Sequence, residues 1–262
     1  MKKTGLFLLS ALLILACRNK ENKVEQTVPD TLAYTYDSVK VLSHYRPEKV
    51  LSTDTTKAVI AFPVFKDEVI NQFIKRQVLN YFAQEEPLSS FNDIAASFIR
   101  GYDDFFRSTP GTFQIWYLDI RIEVLRQQPT YLSLKYRHND FAGGAHGNSS
   151  VSFLNYNPTT HTVITLDSLI RPDKMKDLLA LAETIFRKNE NLNATEPLEE
   201  KYFFEKGKFT LAQSFHVNEK GLVFLYIPYE IKPYVEGYTE LIIPLASLKT
   251  IAKPNTILTP TP

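Results

Sequence analysis

Residues 113–125 read FQIWYLDIRIEVL, and polar and apolar side chains alternate along this stretch. Leu118 and Ile120 fall on one face, whereas Asp119 and Arg121 fall on the other. Because successive side chains of a β-strand point to opposite faces, this period of two indicates a strand. One of its faces is expected to be buried and the other to be in contact with water.

Further strands are predicted on both sides of this stretch. A turn at 127–130 leads into a strand at 131–137, and short connections are typical of an antiparallel meander. The other predicted strands are one or two in 32–46, one in 57–63 that ends at Pro63, those in 151–156 and 162–166, a hairpin of 209–217 with 222–227, and one in 239–244.

Three segments change to helical spacing. Apolar side chains recur at steps of three and four residues in 65–82, 89–107 and 173–188, which predicts amphipathic helices. Ser90 and Asp93 supply an N-terminal cap for the second helix. Helices interspersed with strands indicate an α+β fold, in which antiparallel sheets pack against a few amphipathic helices. The tail at 253–262, rich in proline and threonine, is expected to be frayed.

The N-terminus reads as the signal peptide of a bacterial lipoprotein, residues 1–16. Lys2 and Lys3 precede an apolar run of about ten residues, which is too short to span a bilayer. The sequence Ile-Leu-Ala-Cys at 14–17 has the form of a lipobox, so Cys17 is the predicted lipidation site and the attachment to a membrane. The alternative is a plain secretory signal followed by an incidental cysteine.

Residues 17–31 are polar and are expected to form a flexible tether between the lipid and the folded part. The tether, the signal and the lipid predict a cell-envelope location. Arg18 stands where an aspartate would indicate retention in the inner membrane, which favours the outer membrane and leaves its face open. Cys17 is the only cysteine, so an internal disulfide is impossible.

The charge balance argues against nucleic acid as a partner. The chain carries a formal net charge of +1, and loss of Lys2 and Lys3 with the signal leaves 28 basic against 29 acidic residues. A protein that binds nucleic acid would be expected to carry a basic stripe. The 18 Phe and 14 Tyr against only 9 Gly instead fit a packed, sheet-rich domain.

A loop at 140–148, DFAGGAHGN, concentrates three of the nine glycines, at Gly143, Gly144 and Gly147. Glycine permits positive φ and close approach of the backbone, so this loop is a candidate binding element together with His146 and Asn148. The alternative is a tight hairpin loop whose histidine bonds to the backbone. The spacing of a phosphate-binding loop is absent.

A second candidate binding element is the tyrosine-rich segment 224–238, which includes Tyr226, Tyr229, Glu230 and Tyr234. Tyrosine suits contact with a protein or sugar partner because its ring is apolar and its tip is polar. The alternative is that these rings close the core against the helices. The residues leave the two alternatives equally open.

Catalytic and metal-binding residues cannot be assigned from the sequence. The five histidines lack the paired spacing of zinc helices, no cysteine is free to bind a metal, and no Gly-x-Ser-x-Gly motif is present. No metal or other cofactor is therefore expected, and a non-enzymatic protein is favoured. The competing hypothesis is a hydrolase in which His146 works with Asp140 or Glu230.

Three stretches resemble a known pair of domains. TKAVIAFP at 56–63 with the following helix resembles a PdaC-type domain, and DFAGGAHGN at 140–148 resembles its junction with an RsiV-type domain. GLVFLYIPYEIKPYVEG at 221–237, ending in the Ile-Pro of 243–244, resembles the signature of the RsiV-type half. The resemblance covers residues 32–252 and implies two closely associated halves, 32–138 and 139–252.

The resemblance implies a binding or sensing module of the cell envelope. In the anti-sigma factor RsiV this region recognises lysozyme, and in the deacetylase PdaC it precedes a separate catalytic domain. Here a lipid at Cys17 is expected in place of a membrane-spanning helix. The expected partner is a lysozyme-like protein or peptidoglycan, although the near-zero net charge supplies no acidic patch for a basic lysozyme. A structural subunit of an envelope complex is a third hypothesis.

Overall fold

The structure is a computed structural model that describes residues 30–47, 55–82 and 88–259. The predicted signal peptide, Cys17 and the tether up to residue 29 lie outside the described residues. Across the described residues, no helix combines the length and the apolar character needed to cross a membrane.

The first half is built on a six-stranded sheet whose strands lie in chain order. Every neighbouring pair is antiparallel except β2 and β3, which are parallel. Helices α1 (Glu68–Phe82) and α2 (Phe91–Ser108) lie between β2 and β3 in sequence, because parallel neighbours need a long crossover. The strands are β1 Tyr34–Leu42, β2 Lys57–Phe65, β3 Tyr117–Gln128, β4 Tyr131–Phe141, β5 Asn148–Asn157 and β6 Thr162–Val163.

The strand predicted at 113–125 is confirmed from Tyr117 onward, whereas residues 113–116 lie before β3 and form no strand. Leu118, Ile120 and Ile122 of β3 are each no more than 1% exposed. They pack in one core with the apolar faces of both helices, which include Phe73 of α1 and Ile99 of α2. The predicted cap is also confirmed, since the Ser90 side chain accepts a hydrogen bond from the Asp93 N–H at 3.1 Å.

Strand β2 does not end at Pro63, as the sequence predicted, but continues to Phe65. The reason lies in its neighbours: β3 pairs with β2 only from Lys57 to Ala61. Beyond Ala61, β2 pairs with β1 alone. Proline is tolerated on such a one-sided segment because no ladder hydrogen bond needs to be donated on the open side.

The second half combines a three-stranded antiparallel sheet in the order β7-β8-β9 with helix α4. Phe186 of α4 and Phe224 of β8 are central to its core, and every residue of β8 is buried. Here β7 is shorter than predicted, and Thr165 caps a short helix where β6 was expected to continue. The elements are α3 Leu166–Leu169, α4 Met175–Asn189, β7 Phe215–Val217, β8 Gly221–Tyr226, β9 Thr239–Pro244 and α5 Leu245–Leu248.

The α+β prediction is confirmed, but the predicted domain boundary and the predicted tail also differ from the structure. The proposed division at residues 138 and 139 falls inside β4, and the first sheet continues to Val163. The tail predicted to be frayed is packed in its described part: Leu258 is buried in the second core, and the Thr259 hydroxyl donates to the Lys253 carbonyl. Burial of Leu258 anchors a segment whose composition predicted a frayed tail.

Candidate functional site

The two halves meet in a polar network, here called the seam. The Tyr131 hydroxyl donates to Asn155 Oδ1 at 2.7 Å and accepts from the Val217 N–H at 2.7 Å. The Asn155 amide in turn donates to the Phe215 carbonyl at 2.7 Å. Each partner in this buried chain is satisfied, so the seam holds β5 beside β7 and offers little to a ligand.

Residues of both halves also line a cleft of about 690 Å³. The glycine loop contributes His146, Gly147 and Asn148 to its wall, and the tyrosine-rich segment contributes Pro228, Tyr229 and Tyr234. The structure therefore brings together, from the two halves, the two segments that the sequence singled out separately. The ends of β4 and β5 supply the floor between them.

The path of the loop depends on its glycines, as the sequence indicated. Gly143 and Gly144 have φ values of +92° and +91°, which side chains rarely adopt. Gly147 is required for a different reason, since a Cβ there would lie 2.7 Å from the Asp140 carbonyl oxygen and 2.8 Å from the Tyr117 hydroxyl. Gly147 thus lets the backbone of the loop approach the sheet, and Gly143 and Gly144 turn it.

His146 is exposed, and its Nδ1–H donates to the Gly147 carbonyl at 3.1 Å. This is the hairpin alternative, in which the histidine bonds to the backbone, but His146 also lines the cleft, and no hydrogen bond among the described residues involves its Nε2. Among the described residues, no hydrogen bond or ion pair joins His146 to a carboxylate. The described residues therefore do not contain the predicted pairing of His146 with Asp140 or Glu230.

The histidine that pairs with Asp140 is His138, which sequence reasoning missed. His138 is 4% exposed, and its Nε2 lies 2.8 Å from Asp140 Oδ1. Because a carboxylate only accepts, Nε2–H donates, and Nδ1 accepts from the Tyr136 hydroxyl at 3.2 Å. Residues two apart on one strand share a face, so the alternation rule applied to 136, 138 and 140 would have revealed the trio.

This trio organises the wall of the cleft. Asp140 Oδ2 accepts a hydrogen bond from the Asn148 side-chain amide at 3.2 Å. The buried His138–Asp140 pair thereby fixes the orientation of the exposed Asn148 side chain. The rings of Tyr81 and Phe82 cover the His138 ring at centroid distances of 4.9 and 5.5 Å. With both ring nitrogens engaged, His138 has no free base to offer, and its role is to position.

The opposite wall carries two exposed rings. Tyr229 and Tyr234 are 65% and 58% exposed, with ring centroids 5.5 Å apart and planes tilted by 33°. Tyr229 has a φ of +71°, an outlier for a bulky side chain. Such strain persists only where the surrounding structure fixes it, and it is concentrated at functional sites.

An ion pair fixes the loop that carries these rings. The Lys232 Nζ lies 2.8 Å from both carboxylate oxygens of Glu190, the residue that caps the C-terminus of α4, and both side chains are largely buried. The Tyr202 hydroxyl donates to the same carboxylate at 2.9 Å, and burial, with this contact, raises the pKa of Tyr202. The Tyr229 N–H donates to the Lys232 carbonyl, so the pair holds the backbone of Tyr229 as well.

Four predicted site residues do not line the cleft: Gly143 and Gly144, which turn the glycine loop, and Tyr226 and Glu230 of the tyrosine-rich segment. Tyr226 is 1% exposed, and its hydroxyl donates to the Thr210 carbonyl, because β8 is buried along its whole length. Glu230 accepts the Ile227 N–H at 2.9 Å within its own turn, and desolvation of the carboxyl raises the pKa of Glu230. The tyrosine-rich segment is therefore divided: its strand closes the core, and its loop faces the cleft.

The lining of the cleft combines polar groups with apolar surface. Among the described residues that line it there is no lysine, arginine, aspartate or glutamate; hydroxyl, amide and imidazole groups supply the polarity. Asn139 Oδ1 accepts from the Ser149 hydroxyl at 2.7 Å, which fixes a further part of the floor. Within the described ranges, no cluster of three His, Cys, Asp or Glu side chains has the arrangement to hold a metal ion.

One family model matches part of this chain. The family model described as a protein of unknown function, DUF3298, matches residues 167–246, which contain Tyr229 and Tyr234 but not the glycine loop. No curated protein matches the chain.

Two solved structures have a similar fold. A DUF3298 family protein from Pseudomonas aeruginosa is 21% identical, with a TM-score of 0.65, and a member of the same family from Bacteroides fragilis is 20% identical, with a TM-score of 0.60. Each comparison covers 88% of this chain and 98% of the other chain. At these identities the likeness establishes the fold alone.

Proposed function

We propose that this protein is a non-enzymatic binding or sensing module of the cell envelope and that its ligand occupies the cleft. The observation that carries the proposal is the convergence of the glycine loop and the tyrosine-rich loop, from different halves, on one cavity. A volume of about 690 Å³ is within the range of about 300–1,000 Å³ typical of ligand sites.

The contacts of the titratable side chains support recognition rather than catalysis. The buried histidine has both nitrogens bonded, and the exposed histidine has no carboxylate partner among the described residues. General base catalysis needs a base that is free to reach the substrate and is oriented by a third group. His138 fails the first condition. His146 is oriented by the Gly147 carbonyl but lacks, among the described residues, the carboxylate partner that the hydrolase hypothesis requires.

The partner follows from the resemblance to PdaC-type and RsiV-type domains, which implies a lysozyme-like protein or peptidoglycan. The DUF3298 match at 167–246 lies within the predicted RsiV-type half, 139–252, and supports this part of the proposal.

We expect the protein to act while attached to the outer membrane by a lipid on Cys17, with the tether 17–31 giving the cleft its reach. Replacement of Cys17 by alanine in the full chain should move the protein from the membrane fraction to the aqueous fraction; retention in the membrane would contradict lipidation.

Capture experiments test the binding function. Full-length protein in detergent is incubated with purified peptidoglycan sacculi or with immobilised lysozyme, and the retained fraction is measured. Tyr229→Ala and Tyr234→Ala should each weaken retention of the true ligand about tenfold, because an aromatic contact and its buried area are lost. Phe113→Ala is the matched control, since Phe113 is 73% exposed and does not line the cleft. Retention that is absent, or that is unchanged in both tyrosine variants, would refute the proposed function.

A further inference from the structure

We propose that the ligand of the cleft is a neutral saccharide, bound by stacking of a sugar ring on the exposed tyrosines and by hydrogen bonds to the glycine-loop side. This inference rests on the proposed function and specifies the chemical class of its ligand. It is drawn from the charge, the rings and the unpaired polar groups of the cleft.

The first argument is the charge of the lining. No described lining residue is a lysine, arginine, aspartate or glutamate, and Asp140, which lies just behind the wall, is already bonded to His138 and Asn148. A phosphate or an acidic peptide would find no lysine or arginine to compensate it, and a basic protein surface would find no unpaired carboxylate. Placing a charged group there without a partner would cost free energy through desolvation.

The second argument is the pair of rings. Tyr229 and Tyr234 are each more than half exposed, and both line the cleft. A pyranose ring has the complementary form, because axial C–H groups make one face apolar while hydroxyl groups project from its edge. Stacking of that face on a tyrosine removes apolar area from water and leaves the hydroxyls free to bond.

The third argument is the supply of hydrogen-bonding groups. Among the described residues, no hydrogen bond involves the Tyr229 or Tyr234 hydroxyl, the Ser150 hydroxyl or Nε2 of His146. Asn148 donates through its amide nitrogen to Asp140 and keeps its carbonyl oxygen available. Donors and acceptors are thus both present around the rings, which matches the mixed donor and acceptor character of sugar hydroxyls.

The fourth argument is pre-organisation. The Lys232–Glu190 pair holds the tyrosine loop, and the His138–Asp140 pair holds Asn148. Binding therefore needs little ordering of either wall, which preserves affinity for a small ligand. A cleft of this size accommodates a short oligosaccharide, whereas a stable protein complex buries about 800 Å² on each partner.

Calorimetry with two matched probes tests the inference. Full-length protein in detergent is titrated with the β-1,4-linked tetramer of N-acetylglucosamine, and separately with its deacetylated form, which has the same linkage and four ammonium groups. The neutral tetramer should bind, and the cationic tetramer should bind at least about tenfold more weakly, a difference of about 1.4 kcal/mol. Tyr229→Ala and Tyr234→Ala should weaken the neutral tetramer about tenfold, with Phe113→Ala unchanged. Thermal melts of each variant establish that it is folded.

The outcomes separate this inference from the proposed function. Tyrosine-dependent capture of sacculi without binding of the neutral tetramer would keep the function and overturn the saccharide, in favour of the peptide part of peptidoglycan. Tyrosine-dependent retention of lysozyme without sugar binding would likewise overturn the saccharide in favour of a protein. Equal binding of the two tetramers would overturn the argument from charge. If the protein binds neither tetramer and retains neither sacculi nor lysozyme, both proposals are refuted.

Discussion

The seam and the cleft are two places where the same halves meet, and they use similar side chains to different ends. In the seam, the Tyr131 hydroxyl and the Asn155 amide are buried, and each finds its partner. In the cleft, Tyr229 and Asn148 are exposed and keep polar groups unpaired. Closed networks stabilise a fold, whereas unpaired groups at a fixed position are available to a ligand.

The comparison predicts that substitutions in the seam change stability and that substitutions in the cleft change binding. A substitution that loosened the whole fold would change both quantities. Separate effects would therefore be strong support for two distinct roles.

The largest effect is expected for Tyr131→Phe in the seam. Loss of the hydroxyl leaves the buried Val217 N–H and the side-chain Oδ1 of Asn155 without this partner. The free energy of unfolding should therefore fall by about 2–4 kcal/mol. Urea unfolding measures the change. Tyr156→Phe is the matched control, because this buried hydroxyl makes only a 3.4 Å contact with His161; an equal loss in both variants would mean that the seam has no special role.

The next effect is expected for Gly147→Ala at the base of the glycine loop. The added Cβ would meet the Asp140 carbonyl at 2.7 Å, so the backbone must shift, at a cost of about 1–3 kcal/mol in stability. Ligand retention should fall as well, since Asn148 and His146 move with the loop. Ala145→Ser, on the exposed part of the same loop, should leave both unchanged, and a fully stable Gly147→Ala variant would show that the close approach is dispensable.

A moderate effect is expected for Tyr229→Gly in the tyrosine loop. Glycine adopts a φ of +71° without strain, so stability should be unchanged or should rise by up to about 1 kcal/mol, while ligand retention falls about tenfold. Thermal unfolding and the capture assay measure the two quantities on one preparation. A substantial loss of stability would assign Tyr229 to the core and not to the cleft.

The smallest effect is expected at His216, beside the seam. Burial, with a contribution from Lys135, lowers the pKa of His216, and its Nδ1 is buried without a partner among the described residues. The unfolded state therefore binds the proton more readily, so stability is complete above the ordinary pKa of about 6.5 and declines as the pH falls through that value. His216→Phe should flatten the pH dependence of the melting temperature between pH 8 and 5, and an identical slope in both proteins would contradict this.

Much of the fold was predictable because it follows from local periodicity. The alternation in 113–125, the helical spacing in 65–82 and the strand at 239–244 each report which face of one element is buried. The parallel pairing of β2 with β3 was not predictable in this way, because it depends on where two helices return the chain. The packing of Leu258 depends likewise on a core that forms elsewhere.

The candidate site was predictable in its parts but not in its assembly. Glycine content and tyrosine density marked both loops, yet only the tertiary structure separates Tyr226, which is buried, from Tyr229, three residues later. The His138–Asp140 pair could have been predicted from the alternation of β4, because the two residues lie on one face of that strand. The sequence analysis instead selected His146, because it lies among the glycines of the loop. Composition identifies the groups that are present, whereas burial decides which of them can meet a ligand.

The central claim is that one ligand contacts both loops in the cleft, and hydroxyl-radical footprinting of the full-length protein tests it most directly. The oxidation rates of Tyr229, Tyr234 and His146 are compared with that of Phe113, with and without purified peptidoglycan fragments. The account predicts protection of residues on both loops and none at Phe113. Protection confined to one loop, or found only outside the cleft, would contradict it.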